Sequence, residues 1–185
     1  MISKPTLEGP RVRCRPLAST DLEGYVELLE DKELLRLTGS HRRFSRVELA
    51  EWLATTPQKE GRVDLAVISK SSGELLGEVV LNEIDDDNRC GNLRIGLRSS
   101  FFGQGYGPEA MRLVIVYGFE VLGLHRIELE VFAFNDRAIR AYEKLGFRRE
   151  GVRREALFQD GRYHNAITMA LLDRELDEAA ETVRW

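Results

Sequence analysis

The sequence predicts an α/β (α+β) fold in which a single mixed, mostly antiparallel sheet is flanked by helices, in the order β-αα-βββ-α-β-α-ββ. Three observations predict it. Apolar, β-branched segments at 63–70, 74–84 and 91–98 are separated by turn signals at Ser71-Ser72-Gly73 and Asp85–Asn88, which reads as an antiparallel meander. Two stretches of helical periodicity precede that meander. Beyond residue 105 helical and strand patterns alternate, and the chain closes on two strands around Asp160-Gly161, a type I′ hairpin signal.

RVRCRPL (11–17) alternates as a strand, with Arg11, Arg13 and Arg15 on one face of an edge, where charge discourages aggregation. Ser19 or Thr20 caps a helix carrying Leu22, Tyr25, Val26 and Leu29 at helical spacing. Ser45 and Glu48 form a capping box for a second helix, which turns Leu49, Trp52 and Leu53 inward and ends at Pro57 and Gly61. A third helix runs from Pro108 to Leu122 and a fourth from Asn135 to Leu145, closed by Gly146. HRIELEVF (125–132), 147–158 and 163–172 are strands. Residues 1–172 form one domain and 173–185 a charged helical tail.

Composition limits the function. Hydrophobic residues make up 43% and charged residues 31%, a globular balance that excludes disorder. With 27 Lys+Arg against 31 Asp+Glu, the net charge of −4 gives no global attraction to nucleic acid or anionic lipid. The longest apolar run, Leu113 to Phe119, is far short of the roughly 20 residues that span a bilayer. Pro5 and Glu8 fall where a signal peptide has its apolar core, and Cys14 and Cys90 follow no metal-ligand spacing. The expectation is a reduced, cytoplasmic protein without a metal.

FFGQGYGPEA (101–110) is the most informative stretch. Gly103, Gly105 and Gly107 alternate between a strand and a helix, where successive N–H groups of residues 103–107 can converge on an anion at the helix N-terminus. Pro108 is read as the first helical residue, where its missing N–H costs nothing. A diphosphate is the natural guest. Pro108 stands where a dinucleotide fingerprint needs its third glycine, and no Gly-Lys-Ser/Thr follows for a Walker A loop. Downstream, Asn135 and Tyr142 are two helical turns apart on one stripe, about 10 Å along the axis. Glu83 alternates with Val79 and Leu81 on an otherwise apolar face, where desolvation raises a carboxyl pKa, and Glu78 is the rival carboxylate.

The loop resembles the pyrophosphate-binding loop of the GNAT N-acetyltransferases, Gln/Arg-x-x-Gly-x-Gly/Ala, with Gly105 and Gly107 at the glycine positions and Phe102 at the Gln/Arg position. NDRAIRAYEKLGF (135–147) resembles the family's Asn-x-x-Ala-x-x-x-Tyr-x-x-x-Gly-Phe segment. The similarity covers Arg11 to about Leu172, and from Phe101 onward it is most like RimJ/RimL-type and spermidine acetyltransferases. The resemblance implies a GNAT fold over 1–172 and direct acetyl transfer from acetyl-CoA to a primary amine. It makes Tyr142 the general acid and Glu83 the expected proton acceptor, a glutamate standing at the matching place in spermidine acetyltransferases, with Glu78 or an intervening water as the alternatives. Cofactor contacts would come from Leu97 and from Phe102, Gly103, Gln104, Gly105, Tyr106 and Gly107. On the following helix they would come from Asn135, Arg137, Ala138, Arg140 and Lys144. It also implies a sheet splayed near residues 93–98, with backbone N–H groups holding the thioester carbonyl, and a homodimer. His41-Arg42-Arg43 falls where the family shapes its acceptor pocket, which weighs against a polyamine such as spermidine and towards a peptide α-amine, an antibiotic or an amino-acid-like acceptor. A CoA-binding sensor without turnover is the competing class.

Overall fold

The computed structural model describes residues 4–176. In the expected tail, Asp173–Glu175 form one 3-10 turn, and residues 177–185 lie outside the described residues. The chain opens with β1 (Leu7–Glu8) and β2 (Val12–Pro16), then the helices α1 (Leu22–Glu30), α2 (Lys32–Thr38) and α3 (Arg46–Thr55). The meander follows as β3 (Val63–Ser69), β4 (Leu75–Asp85) and β5 (Cys90–Leu97). Then come α4 (Tyr106–Val116), extended by a π-helical turn to Val121, β6 (Arg126–Phe132), α5 (Asp136–Lys144), β7 (Arg148–Gln159) and β8 (Arg162–Leu172). They build an eight-stranded sheet in the order β1-β2-β3-β4-β5-β6-β8-β7, antiparallel throughout except between β5 and β6.

The expected order holds, with two short additions. β1 has two residues and covers β2, so β2 is not an edge. Arg13 there pairs with Glu8, Arg15 with Asp21, and Arg11 lies before the strand. α2 is separated from α1 by Asp31, whose extended backbone (ψ 107°) breaks the helix and whose carboxylate accepts from the N–H groups of Glu33 and Leu34. The same carboxylate accepts from the Ser99 N–H at 2.6 Å, tying the helical corner to the exit of β5. Ser19 and Thr20 do not cap α1; Asp21 takes that place, its carboxylate accepting from the Ala18 N–H. The Ser45–Glu48 box forms as expected. Asp160 and Gly161 both have positive φ, as a type I′ turn requires.

Period-two alternation sorts the core into two layers. Val63, Leu65 and Val67 of β3 pack towards Ala110, Met111, Val114 and Ile115 of α4, and Ile139 of α5 and Leu145 just after it join them. Ala66, between them on β3, packs on the other side with Tyr25, Leu28, Leu34, Leu49 and Leu53 of α1–α3. Helices α4 and α5 therefore cover one face of the sheet and α1–α3 the other.

Candidate active site

The parallel pairing of β5 with β6 joins Cys90 to Arg126, Gly91 to Ile127 and Asn92 to Glu128, and then stops. Beyond it β5 remains paired with β4 through Leu97, but its other edge faces a gap. This is the splay that the resemblance implied. A cleft of about 790 Å³ runs through it, walled by residues 93–97 and by Glu130, Val131 and Phe132.

On the α4 side the glycine loop forms the rim. Gly103 and Gly105 adopt φ of +74° and +83°, which other residues rarely tolerate. Gly105 is the N-cap of α4, and helical hydrogen bonding begins with the Glu109 N–H. The helix starts two residues earlier than expected, so Pro108 is its third residue; it still lies among the first four, whose N–H groups have no helical acceptor. A Cβ at Gly103 would meet nothing within 4 Å, whereas one at Gly105 would lie 2.7 Å from Nη2 of Arg11. Nη1 of Arg11 donates to the Gln104 carbonyl at 2.8 Å, and its guanidinium lies 5.0 Å from the centre of the Tyr106 ring. Arg11 thus straps the loop from the other end of the chain. The Gln104 side chain is occupied within its own turn, donating to the Ser100 carbonyl. The Phe102 ring carries the guanidinium of Arg137, 3.7 Å from its centre.

α5 forms the next wall. Asn135 caps it, Oδ1 accepting from the Ala138 N–H at 3.2 Å, which leaves the amide nitrogen free to donate. Tyr142 lines the cleft two turns later, 9% exposed and edge-on to Phe147. Burial pushes its phenol up to about 12, and among the described residues no group takes its hydroxyl. Arg140 and Lys144 stand exposed along the same wall without a carboxylate partner among the described residues.

On the opposite face of the sheet, Glu78 of β4 lines the cleft and accepts from the Tyr25 hydroxyl at 2.8 Å. Desolvation holds its carboxyl above the usual range, partly offset by that hydrogen bond. Leu28, Leu29, Leu34, Leu35 and Leu37 of α1 and α2 close over it.

Glu83 is not part of this cleft. It is exposed, with φ of +52°, where the β4–β5 register slips between Asn82 and Asp85. It lies five residues from Glu78, about 16 Å along the strand, towards the end where β5 and β6 stay paired. The alternation with Val79 and Leu81 breaks at this bulge, and those two residues face α4 rather than α1–α3. His41, Arg42 and Arg43 also lie outside the cleft lining; they are exposed, with Arg42 stacked on Phe44 and paired with Glu48. The electrostatic argument built on them does not hold.

The acetyltransferase (GNAT) domain family matches residues 11–148. The chain belongs to the GNAT acetyltransferases. It is 30% identical over 164 residues to the spermidine N(1)-acetyltransferase of Escherichia coli K12, covering 89% of this chain and 87% of that one. It is 26% identical over 160 residues to the uncharacterized N-acetyltransferase YoaA of Bacillus subtilis, covering 85% of this chain and 90% of that one. The crystal structure of spermidine N-acetyltransferase from Vibrio cholerae in complex with CoA and spermine superposes with a TM-score of 0.84 at 26% identity, covering 91% of this chain and 99% of that one.

This GNAT protein is therefore an N-acetyltransferase that uses acetyl-CoA. Its residues fit that group: a cradle opened by two left-handed glycines, a free asparagine amide and three basic side chains lie on one rim. Leu97, Gly105, Gly107 and Ala138 also line the cleft. Among the described residues no helix is long and apolar enough to cross a membrane, and no cluster of three His, Cys, Asp or Glu could hold a metal ion. The strap from Arg11 and the bond from Tyr25 to Glu78 escaped the sequence reading, because each depends on contacts between distant segments.

Proposed function

We propose that this acetyltransferase moves the acetyl group directly to a primary amine within a ternary complex, with Glu78 receiving the amine proton and Tyr142 as general acid. One observation carries the reading. The Glu78 carboxylate and the unpartnered Tyr142 hydroxyl reach the same cleft from opposite faces of the sheet, at the splay. Acetyl-CoA supplies a thioester whose thiolate has a pKa of about 8.5. Tyr142 stays protonated at neutral pH and donates from Oη to the departing sulfur. Glu78, steadied by Tyr25, takes the proton that an ammonium must lose before it can attack. The unpaired edge of β5 offers N–H groups to an acyl oxygen that gains charge. The glycine loop, with Arg137, Arg140 and Lys144, holds the phosphates, and the Asn135 amide donates to the arm between.

Direct transfer needs no enzyme nucleophile. Cys14 is buried, its thiol pushed up to about 12, and neither cysteine lines the cleft. The two free thiols fit a reducing compartment, the cytoplasm. A homodimer would form through the exposed edge of β7. Initial rates measured with both substrates varied test the mechanism: intersecting double-reciprocal lines are expected, and parallel lines would replace it with an acyl-enzyme route. Binding of acetyl-CoA with no transfer to any amine would return the sensor reading.

A further inference from the structure

We propose that the acceptor is a small amine that also carries a carboxylate and an apolar body, an α-amino acid with an aliphatic or aromatic side chain, and that Arg94 holds its carboxylate. The inference rests on the direct-transfer reading and extends it to the acceptor. It starts from sheet register. Glu78 stands opposite Gly96 and Val80 opposite Arg94, so Glu78 and Arg94 are diagonal neighbours on one face. That face looks towards α2, since a Cβ at Gly96 would lie 3.6 Å from the Leu34 side chain. Both Glu78 and Arg94 line the cleft.

Their charges are the ones left over on this side. Glu130, on the opposite wall, is taken by Arg153, and Arg98, farther along, is held between Glu27 and Glu74. Arg94 is exposed and has no carboxylate within ion-pairing distance among the described residues. Glu78 attracts it without closing into an ion pair with it, and accepts its hydrogen bond from Tyr25 instead. One free carboxylate and one free guanidinium, set a strand apart, match the ammonium and carboxylate of a zwitterion. The leucines of α1 and α2 close over the same space and suit an apolar side chain. A polyamine is a poor match, because its second and third ammonium groups would find Arg94 and leucines where they need carboxylates.

The test compares L-leucine and L-phenylalanine with isoamylamine and phenethylamine, which lack the carboxylate, and with spermidine, in acetyl transfer by the intact enzyme. The expected result is a kcat/KM at least about 10-fold higher for the amino acids than for their decarboxylated partners and spermidine. Arg94→Gln should raise KM for leucine about 10- to 100-fold and bring the leucine-to-isoamylamine ratio close to one. An equal loss on both members of a pair, or a rise confined to KM for acetyl-CoA, would overturn the assignment of Arg94. Preference for spermidine or for the decarboxylated amines, still dependent on Tyr142, would overturn the acceptor class and leave direct transfer standing. Acetylation of none of the five would overturn the acceptor class as well; direct transfer would then be judged by its own kinetic test.

Discussion

Oε1 of Glu109 accepts from the backbone N–H groups of both Arg11 and Val12, at 2.7 and 2.9 Å, while Oε2 accepts from the Arg11 guanidinium at 3.1 Å. A buried carboxylate in the first turn of α4 thus fixes the start of β2 and, through Arg11, the carbonyl of Gln104 in the glycine loop. Glu109→Ala would leave two backbone donors without an acceptor. The expected loss is about 2–4 kcal/mol, a Tm roughly 5–15 °C lower, together with weaker acetyl-CoA binding. Thermal unfolding and calorimetric titration measure both; an unchanged Tm would show that the strap is dispensable.

Tyr142→Phe removes the hydroxyl and keeps the ring against Phe147. Turnover should fall about 100-fold or more, with acetyl-CoA affinity nearly unchanged. Steady-state kinetics beside a direct binding measurement separate the two effects. A variant with full turnover would remove the general acid from the mechanism.

Gly105→Val places a β-branched residue at φ of +83°, with its Cβ against Arg11. The loop must rearrange, and binding of acetyl-CoA should be lost while the sheet remains folded. Circular dichroism checks the fold and thermal shift with acetyl-CoA checks binding. A normal shift would mean that the loop does not hold the diphosphate.

Glu78 makes a prediction about pH. Its carboxyl is raised in the fold, so the ionised form, which accepts the proton, appears only as pH climbs through that raised value. Turnover should therefore rise with pH along a limb above the ordinary glutamate value of about 4.3, and Glu78→Gln should abolish the limb with the activity. The stability effect has the opposite sign. A group with a raised folded pKa loses stability for the fold as pH rises past its unfolded value, so Glu78→Gln should unfold at a higher temperature at neutral pH. A lower Tm at pH 7 would contradict the desolvation that the mechanism uses.

Local chemistry in the sequence announced much of this. Gly105 and the Asp160–Gly161 pair were legible because positive φ selects residue types, and Ser45–Glu48 because a capping box acts over three residues. The spacing of Asn135 and Tyr142 survives because a helix preserves periodicity. Glu83 misled because period-two reasoning assumes a regular strand, and a bulge intervenes at that residue. α2 went unseen because its roughly two turns begin at a break set by one capping aspartate. The Arg11–Gln104 contact spans 93 residues and has no local trace. The same holds for Arg94, whose place beside Glu78 exists only once β4 and β5 are in register.

The short β5–β6 ladder leaves the molecule as two half-sheets sharing a narrow spine, β1–β5 on one side and β6–β8 on the other. An occupant that accepted from the N–H groups left unpaired along β5 would tie the halves together. Amides of Leu93–Leu97 that face the gap should exchange with solvent quickly in the empty protein and slowly when it is filled. Occupancy would then be legible in the cohesion of the whole sheet, far from the phosphate rim where the ligand is gripped.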